Sequence, residues 1–142
     1  MAKSSSSSSA QSDLGKLLLR LGLGSIVLFH GVFKLTHGVD WIKEPLAAVG
    51  LPGFLAYGTY VAELFAPILV LIGLWTRGAA LVIALDMLMA FVLVLRASLF
   101  KVNPMGGGWA VEVEALILIN ALAVAFLGAG RYAVPRATSA WD

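Results

Sequence analysis

Four apolar stretches dominate the pattern of the chain, and each is long enough to cross a bilayer. They cover residues 14–36, 54–75, 77–100 and 109–128. A helix rises 1.5 Å per residue, so about 20 residues span a hydrocarbon core of about 30 Å. Because backbone groups in lipid must hydrogen-bond within their own segment, we expect all four to be helices. The pattern predicts an all-α, polytopic membrane protein with four transmembrane helices in an antiparallel bundle.

The polar ends of the chain set the limits of this domain. Residues 1–13 form a Ser-rich tail of low complexity, which we expect to be disordered. The transmembrane domain is predicted over residues 14–134, and residues 135–142 form a short C-terminal tail. Arg20 interrupts the first apolar stretch, and no Ala-x-Ala-like cleavage site follows it. We therefore expect this stretch to be retained rather than removed as a signal peptide.

Two connections between the apolar stretches are informative. The turn "WTRG" at 75–78 is so short that the second and third helices must be antiparallel neighbours. The segment 37–53 is longer, and its apolar residues have helical spacing, with Pro45 suited to a first helical turn. Four residues share one face of that short helix: Trp41, Ile42, Leu46 and Val49. We favour an interfacial anchor, and a substrate lid is the alternative.

Composition supports the membrane assignment. Of 142 residues, 60% are hydrophobic and 13% are charged, and the mean hydropathy is +0.92. Soluble domains are nearer 45–50% apolar and about 25% charged. The chain has no Cys, which excludes disulfide exchange, Cys-ligated iron–sulfur clusters and covalent c-type haem. Its Lys and Arg residues are scattered, so no nucleic-acid surface is indicated. Their excess near the chain termini predicts that both termini are cytoplasmic.

The first helix carries polar residues on one face. His30, Lys34 and His37 follow the spacing i, i+4, i+7, which places them together at 100° per residue. A glycine stripe runs beside them: Gly24, Gly31 and Gly38. Small residues mark positions where another transmembrane helix approaches closely. The polar face should therefore turn into the bundle rather than toward lipid.

Glu114 and Glu63 are the acidic residues expected to join this face. Glu112 and Glu114 point nearly opposite ways, and only the Glu114 face carries small residues, so we expect Glu114 inside. Rise per residue places Glu63 and His30 about 10–13 Å below one surface. We assign proton handling to His30, Glu63 and Glu114. We assign ligand binding to Lys34, His37 and Arg96. The alternative is that these charges only dock the helices.

On the opposite half of the bundle, Arg20 and Asp86 reach similar depths. An unpaired charge at the bilayer centre costs about 2.5–3.5 kcal/mol on insertion scales, and pairing removes much of that cost. We therefore predict a structural polar pair there. We expect no metal, and also no haem. The two His residues lie on one face of one helix, so they cannot be opposite axial ligands of an iron.

The chain resembles the DoxX family of small bacterial four-helix membrane proteins from about Leu17 to Val134. The resemblance rests on "LLLRLGLGSIVLFHGVFKL" at 17–35, "GLPGFLAY" at 50–57, "VAELFAPILVLIGLWTRGAAL" at 61–81, and "ALILINALAVAFLGAGRY" after Glu114. It implies six recurring polar positions: Arg20, His30, Lys34, Glu63, Arg77 and Glu114. Two departures stand out. The chain lacks Cys, which puts direct thiol chemistry in doubt, and it carries Asp86 in the third helix.

The resemblance implies a redox role in the bacterial cytoplasmic (inner) membrane, since relatives include the membrane subunit of a thiosulfate:quinone oxidoreductase. Our leading hypothesis is a quinone-interacting membrane subunit of an oxidoreductase, with the electron donor on another subunit. The alternative is a non-catalytic accessory or anchoring subunit of a larger electron-transport assembly. A proton or small-solute carrier is less favoured, because no internal repeat is evident. Expected partners are lipid and other membrane or redox subunits, and homo-oligomers remain open.

Overall fold

The computed structural model describes residues 3–134 and Trp141, with side chains from Ser9 onward. Within these residues the chain is all-helical, and an isolated bridge between Val102 and Trp109 is the only β-type pairing. Five helices follow in order: α1 Lys3–His37, α2 Lys43–Ala48, α3 Gly53–Ile72, α4 Thr76–Leu93 and α5 Glu112–Leu127. Short 3₁₀ turns lie at Asp40–Ile42 and Arg96–Ser98. The predicted all-α class is confirmed.

Helix length separates the four long helices into two groups. By length and composition, three can cross a membrane: α1 through its segment Ser9–His37, α3 and α4. Helix α5 has 16 residues, about 24 Å at 1.5 Å per residue, and it begins three residues later than the predicted stretch. The described residues therefore contain three helices of full spanning length and a shorter fourth. Helix α5 packs mainly against α4, and α1 packs mainly against α3.

The structure differs from the predicted boundary at the N-terminal end of the chain and describes little of the predicted C-terminal tail. Helix α1 begins at Lys3, inside the Ser tract that we expected to be disordered. Once a helix is nucleated, each added residue contributes a hydrogen bond, so a long apolar helix can extend into a neutral tract. Of the predicted C-terminal tail, only Trp141 is described, and its carbonyl accepts the backbone N–H of Arg77 at 2.9 Å. The other predicted tail residues lie outside the described part.

Helix α3 is irregular where it crosses α1. It begins as a 3₁₀ turn, passes through a π-helical turn at Val61–Phe65, and continues as α-helix over Ala66–Ile72. Pro67 has no N–H, so the carbonyl of Glu63 lacks its ordinary α-helical donor. A π-helical turn accommodates such a break, and turns of this kind often mark functional positions. The break in α-helical hydrogen bonding at Pro67 thus takes the form of a π-helical turn just before it.

Two glycines of the predicted stripe let α1 and α3 touch. A Cβ at Gly31 would collide with the carbonyl oxygen of Glu63, and one at Gly24 would lie 2.5 Å from Leu71 Cγ. Gly38 has a different role. Its φ of 80° ends α1 in the left-handed conformation, with no packing neighbour within 4 Å of a Cβ. The glycines therefore fix where Glu63 stands relative to α1.

Two apolar cores stabilise the bundle. The main core lies at its centre and includes Leu23, Val27, Val70, Ile83 and Ala121, all at most 1% exposed. A smaller core lies under α2: Val39, Ile42, Leu46 and Ala56. The outer faces of the long helices are also apolar, as a lipid-facing surface requires. We call the end covered by α2 the α2 end, and the end where α3 finishes and α4 begins the terminus end.

Candidate functional site

A buried ion pair joins α1 to α3 near the α2 end. Lys34 Nζ donates to Glu63 Oε1 at 2.6 Å, and the two side chains are 15% and 3% exposed. Glu63 belongs to the π-helical turn, and Gly31 lies one turn before Lys34 on α1. Because a side chain at Gly31 would meet the Glu63 backbone, the glycine permits the approach that forms the pair.

This ion pair forms part of the wall of a cavity of about 460 Å³. Most of the wall is apolar. Five ionisable side chains also line it: His30, Lys34, Glu63, Asp86 and Glu114. The cavity thus brings together the three residues predicted to handle protons and one predicted ligand-binding residue, together with Asp86. Its size lies within the range of about 300–1,000 Å³ that small-molecule sites occupy.

Glu63 has a second carboxylate oxygen that is not satisfied. Its Oε2 is buried without a hydrogen-bond partner, although Asp86 lies close enough to interact electrostatically with both Glu63 and Lys34. Two ionised carboxylates cannot hydrogen-bond to each other, because neither has a proton to donate. A proton or a ligand donor is therefore needed to satisfy Oε2. Among the described residues, Thr76 Oγ1 and Asn120 Oδ1 are also buried without a partner, but neither residue is charged or lines the cavity.

His37 and Arg96, which we predicted as ligand-binding residues, do not line the cavity. His37 is exposed, stacks on Phe33 with ring centroids 4.0 Å apart, and places Nδ1 3.0 Å from the Phe33 carbonyl oxygen. It therefore turns back along its own helix. Arg96 is exposed on the 3₁₀ turn after α4, because α4 ends at Leu93. The structure does not bring these two residues to the ion pair.

The predicted pair of Arg20 and Asp86 is also wrong, since each has other partners. Arg20 is 1% exposed and donates to main-chain carbonyls at the terminus end. Its acceptors are the oxygens of Val70 at 2.9 Å, Leu71 at 2.9 Å, Ala129 at 2.6 Å and Tyr132 at 3.5 Å. Arg20 thus satisfies carbonyls in the last turn of α3, where the helix dipole is negative, and in the loop that follows α5.

Asp86 was misplaced because the end of α4 was misplaced. We expected the third helix to run to residue 100, which put Asp86 in the half of the bundle near Arg20. The helix ends at Leu93, seven residues after Asp86, so its Cα lies about 10 Å from the α2 end. The breaking signal lies in the segment after Leu93, where polar residues recur before Pro104. Weighing that signal more heavily would have placed Asp86 in the cavity.

The 3₁₀ turn at Asp40–Ile42 and helix α2 cover the cavity at the α2 end. Ile42 and Leu46 line the cavity from above, and the ring of Trp41 lies 5.9 Å from Lys34 Nζ. The predicted short helix is therefore present, in the position that a lid would take. Trp41 is also 51% exposed, so it retains the outward face that an interfacial anchor needs.

A surface contact holds α2 to the start of α3. Lys43 Nζ pairs with Asp40 Oδ1 at 2.5 Å and donates to the Tyr57 hydroxyl at 3.1 Å. The hydrogen bond from Asp40, followed by that from Tyr57, raises the pKa of Lys43 above its ordinary value. These groups are exposed, so the contact orients α2 without contributing much stability.

Comparisons with known proteins agree with the sequence and the fold. A family model described as DoxX matches residues 15–96, more than half of the chain. A Bacillus subtilis (strain 168) protein named "Putative oxidoreductase CatD" is 31% identical over 116 residues, covering 82% of this chain and 81% of that protein. No solved structure gives a significant match. With its membrane-spanning helices, the chain is a membrane protein that belongs to the DoxX family.

Proposed function

We propose that this protein is a quinone-interacting membrane subunit of an oxidoreductase. The observation that supports the proposal is the cavity with a mostly apolar wall and a buried ion pair at Lys34 and Glu63. The name of the Bacillus subtilis relative points to the same class of reaction. A quinone needs an apolar slot for its ring and tail, together with polar groups near its two oxygens. The cavity offers both.

The polar residues of the cavity have separate roles in this proposal. Reduction of one quinone to one quinol consumes two electrons and two protons. His30 donates a hydrogen bond to one quinone oxygen. Glu63 Oε2, which has no partner, exchanges a proton with the nearer carbonyl oxygen of the quinone. Asp86 and Glu114 also line the cavity. In this proposal they relay protons between Glu63 and the rest of the wall.

The electrons come from a partner subunit in this proposal. The chain has no Cys, so an iron–sulfur cluster held by thiolates would belong to that partner. The residues of this chain bind and orient the quinone, exclude water from it, and hold protons beside it. We place the protein in the bacterial cytoplasmic membrane with both termini inside. Protease accessibility of an N-terminal tag, in right-side-out and inverted vesicles, tests that orientation.

A second candidate function is a non-catalytic accessory or anchoring subunit. The specific observation in its favour is that Lys34 and Glu63 already neutralise each other across α1 and α3, as residues that dock helices would. In this case the loops at the α2 end contact the partner. Purification in a mild detergent from the native membrane separates the two candidates. A stoichiometric partner without bound quinone favours the accessory role.

Quinone binding is tested by titrating the reconstituted protein with a short-tailed benzoquinone or naphthoquinone and recording Trp fluorescence. Trp41 lines the cavity, so its emission should be quenched saturably. We expect His30→Ala and Glu63→Gln to weaken binding at least about tenfold, a loss of about 1.4 kcal/mol. Glu112→Gln is the matched control, because Glu112 is exposed and outside the cavity. Absence of saturable quenching, or equal binding by all variants, would rule out the proposal.

A further inference from the structure

We infer that the hairpin at 99–110 is a lipid-binding element, which lies in the membrane interface and completes the crossing that α5 begins. This hairpin connects α4 to α5 at the α2 end. The inference is independent of quinone binding. It concerns a surface rather than the cavity, and its occupant is the headgroup and upper acyl region of the bilayer.

Helix length provides the first argument. Helix α5 has 16 residues, about 24 Å, whereas a hydrocarbon core is about 30 Å thick. Helix α4, its main packing partner, has 18 residues, about 27 Å. Both helices are therefore too short to reach the edge of the hydrocarbon core at the α2 end. The residues that follow Leu93 and precede Glu112 must therefore occupy the remaining depth at this end.

Side-chain exposure gives the second argument. The most exposed large apolar residues of the hairpin are Phe100 at 99% and Met105 at 95%, and Val102 follows at 65%. Such residues on a surface loop cost free energy in water, since each buries almost nothing against the protein. Lys101 lies between them and is exposed. A Lys flanked by large apolar side chains suits the interface, where its ammonium group reaches the headgroups.

Backbone hydrogen bonding gives the third argument. Non-helical backbone is costly near lipid unless its N–H and C=O groups are satisfied. This hairpin satisfies many of its own groups. The N–H of Asn103 donates to Gly108 at 2.8 Å, that of Gly107 donates to Asn103 at 2.9 Å, and that of Ala110 donates to Lys101 at 3.0 Å. These internal hydrogen bonds lower the cost of placing the hairpin against lipid.

Trp109 fixes the depth of the hairpin. Its ring stacks with Phe91 at a centroid distance of 6.5 Å, and Phe91 lies in the last turn of α4. Its indole N–H donates to the Leu99 carbonyl at 2.6 Å, so the polar atom of the ring is satisfied inside the hairpin. Trp concentrates at membrane interfaces. The ring therefore places the base of the hairpin at the level where α4 leaves the hydrocarbon core.

The chain has no Cys, which allows a clean labelling experiment. Phe100→Cys and Met105→Cys are each labelled with bimane in the full-length protein and reconstituted into phosphatidylcholine vesicles. Quenching is measured with a lipid carrying a nitroxide near the headgroup, and separately with aqueous iodide. Ile119→Cys, on the exposed apolar face of α5, is the lipid control. Glu44→Cys, exposed on α2, is the aqueous control.

We expect both hairpin labels to be quenched by the nitroxide lipid at least about threefold more than the Glu44 label, and to be protected from iodide. This pattern should persist when the protein is diluted tenfold in lipid. Iodide quenching equal to that at Glu44 would overturn the inference. Protection from iodide that disappears on dilution would also overturn it, because that result indicates contact between copies of the chain.

Discussion

Two polar centres lie inside one apolar bundle, and they differ in how completely they are satisfied. At the terminus end, Arg20 donates to carbonyls in the last turn of α3 and in the loop after α5, and it does not line the cavity. At the α2 end, Lys34 and Glu63 form a pair beside a cavity of about 460 Å³, and Glu63 Oε2 has no donor. The sequence pattern predicted a structural role for Arg20 and a functional role for Glu63, but it could not show how completely each side chain is hydrogen-bonded.

The difference has a physical meaning. If a guanidinium that donates to main-chain carbonyls is replaced by another side chain, those carbonyls are left without their donors in the apolar interior. The role of Arg20 is therefore to hold α1 against the last turn of α3 and the loop after α5. A carboxylate with a free oxygen facing a cavity still has hydrogen-bonding capacity for a ligand. Complete satisfaction thus indicates a structural centre, and incomplete satisfaction beside a cavity indicates a binding site.

Removal of Arg20 should have the largest effect. Arg20→Met removes the donor from four carbonyls, and two of these hydrogen bonds are buried. A buried carbonyl without a donor costs about 1–3 kcal/mol, so we expect a loss of about 4 kcal/mol in the free energy of unfolding. Unfolding by sodium dodecyl sulfate in mixed micelles, followed by circular dichroism, measures it. Arg96→Met is the matched control, since Arg96 is exposed at the other end, and should change stability by less than about 0.5 kcal/mol.

If Arg20→Met does not fold, Arg20→Lys keeps the comparison measurable. Lys retains the charge but not the planar set of donors, so it should show an intermediate loss. An unchanged unfolding midpoint in either variant would show that the carbonyl contacts contribute nothing to stability. The Arg20 centre could then no longer be called structural.

Lys34→Met should have the next largest effect on the free energy of unfolding, and a second substitution should rescue it. It leaves Glu63, only 3% exposed, without its cation, which typically costs about 3 kcal/mol or more. Adding Glu63→Gln removes the buried charge, so the double variant should return to within about 1 kcal/mol of the parent while quinone binding stays lost. The same micelle unfolding and quinone titration measure both properties. A double variant as unstable as Lys34→Met would make this centre structural, like that of Arg20.

Gly31→Ala should have a moderate effect. Its Cβ would collide with the Glu63 carbonyl oxygen, and overpacking of this kind costs about 1–3 kcal/mol. Because the clash displaces Glu63 from Lys34, quinone affinity should fall as well. Gly22→Ala is the matched control on the same helix, since no atom lies within 4 Å of a Cβ there. It should be neutral or slightly stabilising. Equal stability of the two variants would contradict the close approach of α1 and α3.

The sequence predicted the architecture because length and apolarity determine which segments can enter a membrane. It also predicted that Lys34 and Glu63 lie close together, because helical spacing and the positions of the glycines can be read directly from the sequence. It failed for Arg20, whose acceptors are backbone carbonyls and leave no trace in a pattern of side chains. It failed for Asp86 because one misjudged helix end shifts a depth estimate by about 10 Å. Satisfaction of each polar atom depends on such details, so the sequence could propose different roles for Arg20 and Glu63 but could not supply the hydrogen bonds that separate the two centres.

Loss of the surface contact at Lys43 should have the smallest effect on the free energy of unfolding. Its hydrogen bonds with Asp40 and Tyr57 raise its pKa above 10.5 in the folded state. Any stabilisation is therefore present below pH 10.5 and is lost as pH rises through the folded-state value. Asp40→Asn should leave the unfolding midpoint unchanged at pH 7, because exposed ion pairs contribute little. A series of midpoints between pH 8 and pH 11, in about half-unit steps, tests this. A clear loss at pH 7 would mean that α2 is held by this contact rather than by the apolar core beneath it, and closure of the cavity would then depend on surface charge.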